Sequence, residues 1–147
     1  YRRQRQMCIR DSLRTEESDH KLIYGMDRID LSKPVKIVEG PLDSLFLDNC
    51  LASGDANLTI VAKSINAPQK ILIFDNEPRN KEIVRMMQDA IKANNNVVIW
   101  PNIINGSKDI NEIFLSGLSL AEIESIISRS TFSGLEAQTN FVFWKKL

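Results

Sequence analysis

Short apolar runs alternate along this chain with stretches in which apolar positions recur at helical spacing. Val35, Ile37 and Val38 make the first clear run, and Glu39-Gly40-Pro41 stops it abruptly. Leu42, Leu45 and Phe46 then fall at helical spacing, which predicts a helix over about 42–50 with Asp43 in its first turn. Leu51-Ala52 predicts a short strand, Gly54-Asp55 a turn, and Leu58 to Ile65 a weak helix or strand. Ile71 to Phe74 is a four-residue apolar strand ending at Asp75. Asn80 suits the N-cap of a helix running to about Ala93, with Ile83, Val84, Met87, Ala90 and Ile91 on one face. "NNNVVIWP" predicts a turn and another buried strand, and "DINEIFLSG" a short helix closed by Gly117. Ser119 to Glu122 and Ser133 to Glu136 both have capping-box spacing and predict two further helices. Leu22 to Ile29 is mixed, a turn or a covering strand. No internal repeat or low-complexity tract interrupts the pattern.

Apolar strands alternating with amphipathic helices predict an α/β fold: a parallel sheet with helices on both faces, followed by carboxyl-terminal helices. Such sheets carry their sites at the carboxyl ends of the strands. Glu39 ends the first strand, with Asp43 four residues beyond it. Asp75 and Glu77 end a central strand, and Asp109 follows the last after a loop. If those strands are neighbours, the carboxylates converge on one edge and repel unless a cation neutralises them. Oxygen ligands suit Mg²⁺ or Mn²⁺, and the chemistry would be phosphoryl transfer. Taken singly, each acid has an ordinary explanation. Glu39 could be a solvated strand-end acid, and Asp43 a first-turn acid favoured by the helix dipole. "DNEPRN" could be a polar turn, and Asp109 only an N-cap. The single histidine, His20, reads as solvated, and Trp100 and Trp144 as core or interface residues rather than base-stacking platforms.

Composition narrows the classes. The 147 residues are 43% hydrophobic and 26% charged, as expected for one globular domain. No apolar run approaches the ~20 residues of a membrane span. Cys8 and Cys50 form no CxxC pair, so zinc is not expected and both read as free thiols. Residues 1–12, "YRRQRQMCIRDS", have no periodicity and resemble translated sequencing-adapter sequence; the alternative is a basic disordered arm for nucleic acid. They hold four Arg and one Asp, so without them 15 basic residues face 18 acidic ones. Net charge alone would not hold such a domain on a nucleic-acid backbone.

The order strand–acid, strand–acid–x–acid, strand–loop–acid resembles the Toprim domain of primases, topoisomerases and related nucleases. "VEGPLD" matches its strand-Glu-Gly motif with an acid four residues on, and "IFDNE" its Asp-x-Asp motif with Glu77 in the last place. "KDINE" is similar to the third acidic stretch of primases, with Asn111 where many members carry a second acid. With "LIYGMDRIDLSKPVKIVEGPLDSLFLDN", "VVIWP" and "TFSGLEAQTNFVFWKK", the resemblance is to the carboxyl-terminal half of tailed-bacteriophage DNA primases, from about residue 22 to the end.

The resemblance implies a Toprim-like sheet, with residues 13–33 as a lead-in, 34–117 as the catalytic domain and 118–147 as a carboxyl-terminal helical extension. It implies RNA-primer synthesis on a single-stranded DNA template from ribonucleoside triphosphates, beside a replicative helicase in the cytoplasm of an infected bacterial cell. Glu39 would be a metal ligand or an acid/base at the growing 3′ hydroxyl. Asp75 and Glu77 would be the principal Mg²⁺ or Mn²⁺ ligands, flanked by Asp43 and Asp109. Lys108, Arg79 and Lys81 are candidates for phosphate or template contacts, and equally read as solvated surface charge. Primases of this kind also carry a zinc-binding module and a basic part of the polymerase core, neither of them legible here. The chain therefore reads as a fragment joined to the foreign residues at about Leu13. Two other readings remain: a Toprim nuclease cutting phosphodiesters with the same acids, and a non-catalytic receiver-like domain holding one regulatory Mg²⁺.

Overall fold

A computed structural model describes residues 23–54 and 57–147. The adapter-like segment, Cys8, His20, Leu22 and Asp55 lie outside the described residues. The elements, in order, are β1 (Val35–Val38), α1 (Pro41–Ser44), β2 (Cys50–Ala52), α2 (Leu58–Ser64), β3 (Lys70–Ile73), α3 (Lys81–Lys92), β4 (Asn96–Val98), α4 (Ile110–Leu115), α5 (Leu120–Arg129), β5 (Thr131–Phe132) and α6 (Gly134–Trp144). The sheet order is β2-β1-β3-β4-β5, parallel throughout except for the antiparallel edge strand β5.

The central strands read as mostly apolar runs, interrupted in β1 by Lys36, because both sheet faces are buried. Side chains alternate between the faces with the period of a strand. Ile37, Leu51, Leu72 and Val97 enter one core with α2, α3 and α6, and Val38, Ile73, Val98 and Trp100 enter the other with α4 and α5. Thus α5, β5 and α6 share the two cores with everything before them. Among the described residues no helix is long and apolar enough to cross a membrane.

Local signals explain most elements. The Asn80 carboxamide accepts the Glu82 and Ile83 N–H groups at 3.0 and 3.4 Å, and all five apolar positions predicted for α3 are buried. Left-handed Asn94, with φ 61°, follows its last turn. The ambiguous stretch from Leu58 is a helix, capped by Asn57. Ser119 and Glu122 form the full capping box of α5. The mixed lead-in gives a 3₁₀ turn at Met26–Arg28 and one antiparallel bridge, Tyr24 to Ala52.

Three expectations are corrected. The helix predicted over 42–50 is a single turn, α1, because β2 must begin at Cys50. Asn49 turns the chain into it with φ 50°, and its carboxamide donates to the Asp30 and Pro34 carbonyls. Leu42 and Leu45 remain 37% and 50% exposed, so their helical spacing marks no buried face. The second capping box does not form either. Gly134 opens α6 with φ 58°, outside helical geometry, and Ser133 makes no side-chain cap. Strand β5 was not predicted; with only two residues, it has no period to read.

Ser53, fully buried after β2, has a hydroxyl without a hydrogen-bond partner among the described residues. An unsatisfied buried hydroxyl is destabilising, so Ser53→Ala is expected to leave stability unchanged or raise it by up to about 1 kcal/mol. Chemical denaturation checks this, and a clear loss of stability would mean that the hydroxyl is bonded.

Candidate active site

The chain order places the reversal of winding direction between β1 and β3, where open α/β sheets form their ligand crevice. Glu39 follows β1 and Asp75 follows β3 after Phe74, so the two acids leave neighbouring strands at the same edge. Asp43 reaches that edge from α1, and Asp109 from the start of α4. Gly40 leaves room for the Asp43 carboxylate. A Cβ at Gly40 would stand 3.1 Å from Asp43 Oδ2, so a larger residue would push that carboxylate aside.

Burial and mutual repulsion perturb two of these acids strongly. Asp43 is 9% exposed, and its Oδ1 accepts the Asn111 N–H at 3.0 Å. Burial, followed by the Asp109 charge, pushes its pKa up to about 6 against the bond that Asn111 donates. Asp75 is pushed up to about 7 by burial and then by Glu39, with Lys108 opposing. Lys108 Nζ lies 3.4 Å from Glu77 and 4.0 Å from Asp75, and Glu77 raises its pKa in turn. Glu77 also accepts from the Asn80 carboxamide at 3.3 Å.

Asp109 is the N-cap of α4, its Oδ1 accepting the Glu112 N–H at 2.8 Å, while Glu112 accepts the Lys108 N–H at 2.7 Å. The ordinary capping explanation therefore holds for Asp109, and its charge still reaches Asp43 and Asp75. Arg79 and Lys81 lie exposed at the turn before α3 and at its first residue, with no ion pair among the described residues. The structure thus joins Glu39, Asp43, Asp75, Glu77, Lys108 and Asp109 at one edge, and leaves Arg79 and Lys81 outside their ion pairs. No three His, Cys, Asp or Glu side chains among the described residues form a ready-made metal cage.

Sequence reasoning missed the residue that holds the Asp75–Glu77 turn. The Asn76 N–H donates to the Lys108 carbonyl at 2.6 Å, and its carboxamide donates to the Ser107 carbonyl and accepts the Trp144 indole N–H at 2.9 Å. The Trp100 indole N–H donates to the Phe74 carbonyl at 2.8 Å, just before Asp75. Both tryptophans are buried, as expected, and each braces this turn. The only signal for Asn76 was its place between two acids. Glu112 was also passed over; its spacing three residues after Asp109 was the available clue. Glu124 pairs with Lys36 at 3.2 Å and accepts the Asp48 N–H at 2.7 Å, because α5 packs across the sheet. Cys50 is buried and its thiol is pushed up to about 12, so it is not a nucleophile.

No protein-family model matches the chain. A curated protein does: over 128 residues, 85% of this chain, it is 28% identical to the protein named DNA primase of Enterobacteria phage T4. The match spans 36% of that protein's length. The conclusion is a distant relationship to a phage DNA primase, across an α/β domain with an acidic edge.

Proposed function

We propose that this domain is the metal-dependent nucleotidyl-transfer part of a primase of the Toprim type, making RNA primers on single-stranded DNA. The observation that carries the reading is the pair Glu39 and Asp75, at the carboxyl ends of adjacent strands, with Asp75 pushed up to about 7. Two carboxylates that repel one another across a partly buried edge are destabilising, and Lys108, 4.0 Å from Asp75, offsets that repulsion only in part. The similarity to a phage DNA primase supports the same reading. The match covers about a third of that primase, so the proposed activity belongs to a longer chain, working with a template, ribonucleoside triphosphates and a replicative helicase.

The donor set is all oxygen and open, which fits Mg²⁺ or Mn²⁺ held by one or two carboxylates, with substrate phosphates completing the shell. Asp75 and Glu77 would hold the ion, with Asp43 and Asp109 flanking it. Such an ion would neutralise triphosphate charge and make the 3′ hydroxyl a better nucleophile toward the α-phosphate, from which pyrophosphate would leave as the α–β bond breaks. Glu39 would take the hydroxyl proton. Lys108 would exchange its carboxylate partners for a phosphate oxygen. Asn76 and the two tryptophans would keep the Asp75–Glu77 turn rigid.

Adding Mn²⁺ or Mg²⁺ is expected to raise the melting midpoint by several degrees, since a ligand at 100 times its Kd contributes about 2.7 kcal/mol. Asp75→Ala/Glu77→Ala is expected to abolish the shift; an equal shift in that variant would exclude this site. Divalent-dependent nicking of nucleic acid without nucleotides would overturn the primase reading in favour of a nuclease.

A further inference from the structure

A cleft of about 750 Å³ opens beside the acidic edge, within the about 300–1,000 Å³ range of ligand pockets. Asn76 and Pro78 line it, so the turn carrying Asp75 and Glu77 forms part of its wall. Trp144 lines it too, donating to the Asn76 carboxamide, and the Lys146 N–H donates to the Pro78 carbonyl. The end of α6 is thereby pinned to the acidic turn.

Its chemistry is opposite to that of the edge. The charged residues lining the cleft are Arg129 and Lys146, both basic, although the chain as a whole has no net charge. Phe143 and Ile103 also line it and are 83% and 65% exposed. The α6 helix buries Ala137, Phe141 and Trp144 in the core, which leaves Phe143 on another face. An exposed aromatic ring sharing a cleft with two cations is the combination that binds unpaired bases and their phosphates.

We propose that this cleft binds a single strand of nucleic acid, with a base stacked on Phe143 and phosphates at Arg129 and Lys146, and leads it past Asn76 to the acidic edge. The delivery to that edge rests on the function proposed above. The binding itself does not. The two cations supply the charge complementarity, and an unpaired base supplies the flat apolar face that Phe143 lacks in the free protein.

The test is fluorescence anisotropy of a labelled oligodeoxythymidine with the full chain, in EDTA so that metal plays no part. Stacking is worth about 1–3 kcal/mol per base, so Phe143→Ala is expected to weaken binding about 5- to 150-fold. Arg129→Ala/Lys146→Ala is expected to weaken it and to flatten the salt dependence by about 1.4 in logarithmic slope. Any contribution from Arg2, Arg3, Arg5 and Arg10 is common to every variant. Melting midpoints should hold, because Phe143 is largely exposed. Asp75→Ala/Glu77→Ala should bind the strand at least as tightly in EDTA. Unchanged affinity in both cleft variants would overturn the proposal, as would equal affinity for a blunt duplex or for a free nucleotide. A strand that binds through the cleft of a protein lacking any metal response would instead sink the catalytic reading and leave the cleft standing.

Discussion

If the domain performs the proposed primer synthesis, Glu39→Gln is expected to lower it by about 10²–10⁴-fold, the usual contribution of a positioned acid or base. Loss of a metal ligand would add to that. Gln keeps the size of Glu39 and removes its charge. That charge raises both Asp75 and Asp43, so their carboxyls should titrate lower in the variant, as carboxyl NMR can read without any activity assay. Metal-free stability should hold or rise slightly, because one repelling charge has left the edge. Asp89→Asn, exposed in the last turns of α3 and outside the acidic edge, should change neither quantity. Full primer synthesis by Glu39→Gln would exclude the assigned role. Lost synthesis together with a large loss of stability would make Glu39 a structural residue.

Stability without metal is expected to fall as pH rises from about 4 to about 7. Asp43 and Asp75 both have folded pKa values raised above the ordinary 3.8, to about 6 and about 7. Between 3.8 and those values the folded protein holds more protons than the unfolded chain, so raising the pH favours unfolding. Above about pH 8 both are ionised in either state and their contribution is constant. A pKa difference of one corresponds to about 1.4 kcal/mol, so Asp75→Asn is expected to gain about 2–4 kcal/mol at pH 8 in EDTA and almost nothing at pH 4. Urea unfolding across that range measures it. The same pH slope in wild type and Asp75→Asn would show that Asp75 is not perturbed. Saturating Mn²⁺ should flatten the wild-type slope if the ion binds these carboxylates, since it favours their ionised forms.

Much of this fold was legible along the chain because its physics is local. Both faces of β1, β3 and β4 are buried, and each showed as an apolar run. The α3 face was visible in its spacing, and its start in Asn80, because capping involves residues two or three apart. The order of acids after strands located the edge, and the Glu39 and Asp109 charges both raise Asp43 and Asp75 there.

Other features depend on which elements become neighbours. That β1 lies beside β3, and not only β2, follows from the crossover α2, and it alone brings Glu39 against Asp75. The apolar spacing at Leu42, Leu45 and Phe46 suggested a long helix, but Asn49 bonds to Asp30 and Pro34 across a gap that no local period reveals. The pairing of Glu124 with Lys36 likewise exists only because α5 packs across the sheet, 88 positions along the chain from Lys36. Asn76 is a polar residue between two acids in sequence. Its partners Lys108, Ser107 and Trp144 are more than 30 positions away, and they make it the clamp of the turn. Apolar strands, helix caps and strand-end acids are written in neighbouring residues, because propensity and periodicity act over a few residues. Tertiary structure decided which acids repel, which amide holds them and where a basic cleft opens beside them, because burial and Coulomb interactions depend on distance in space.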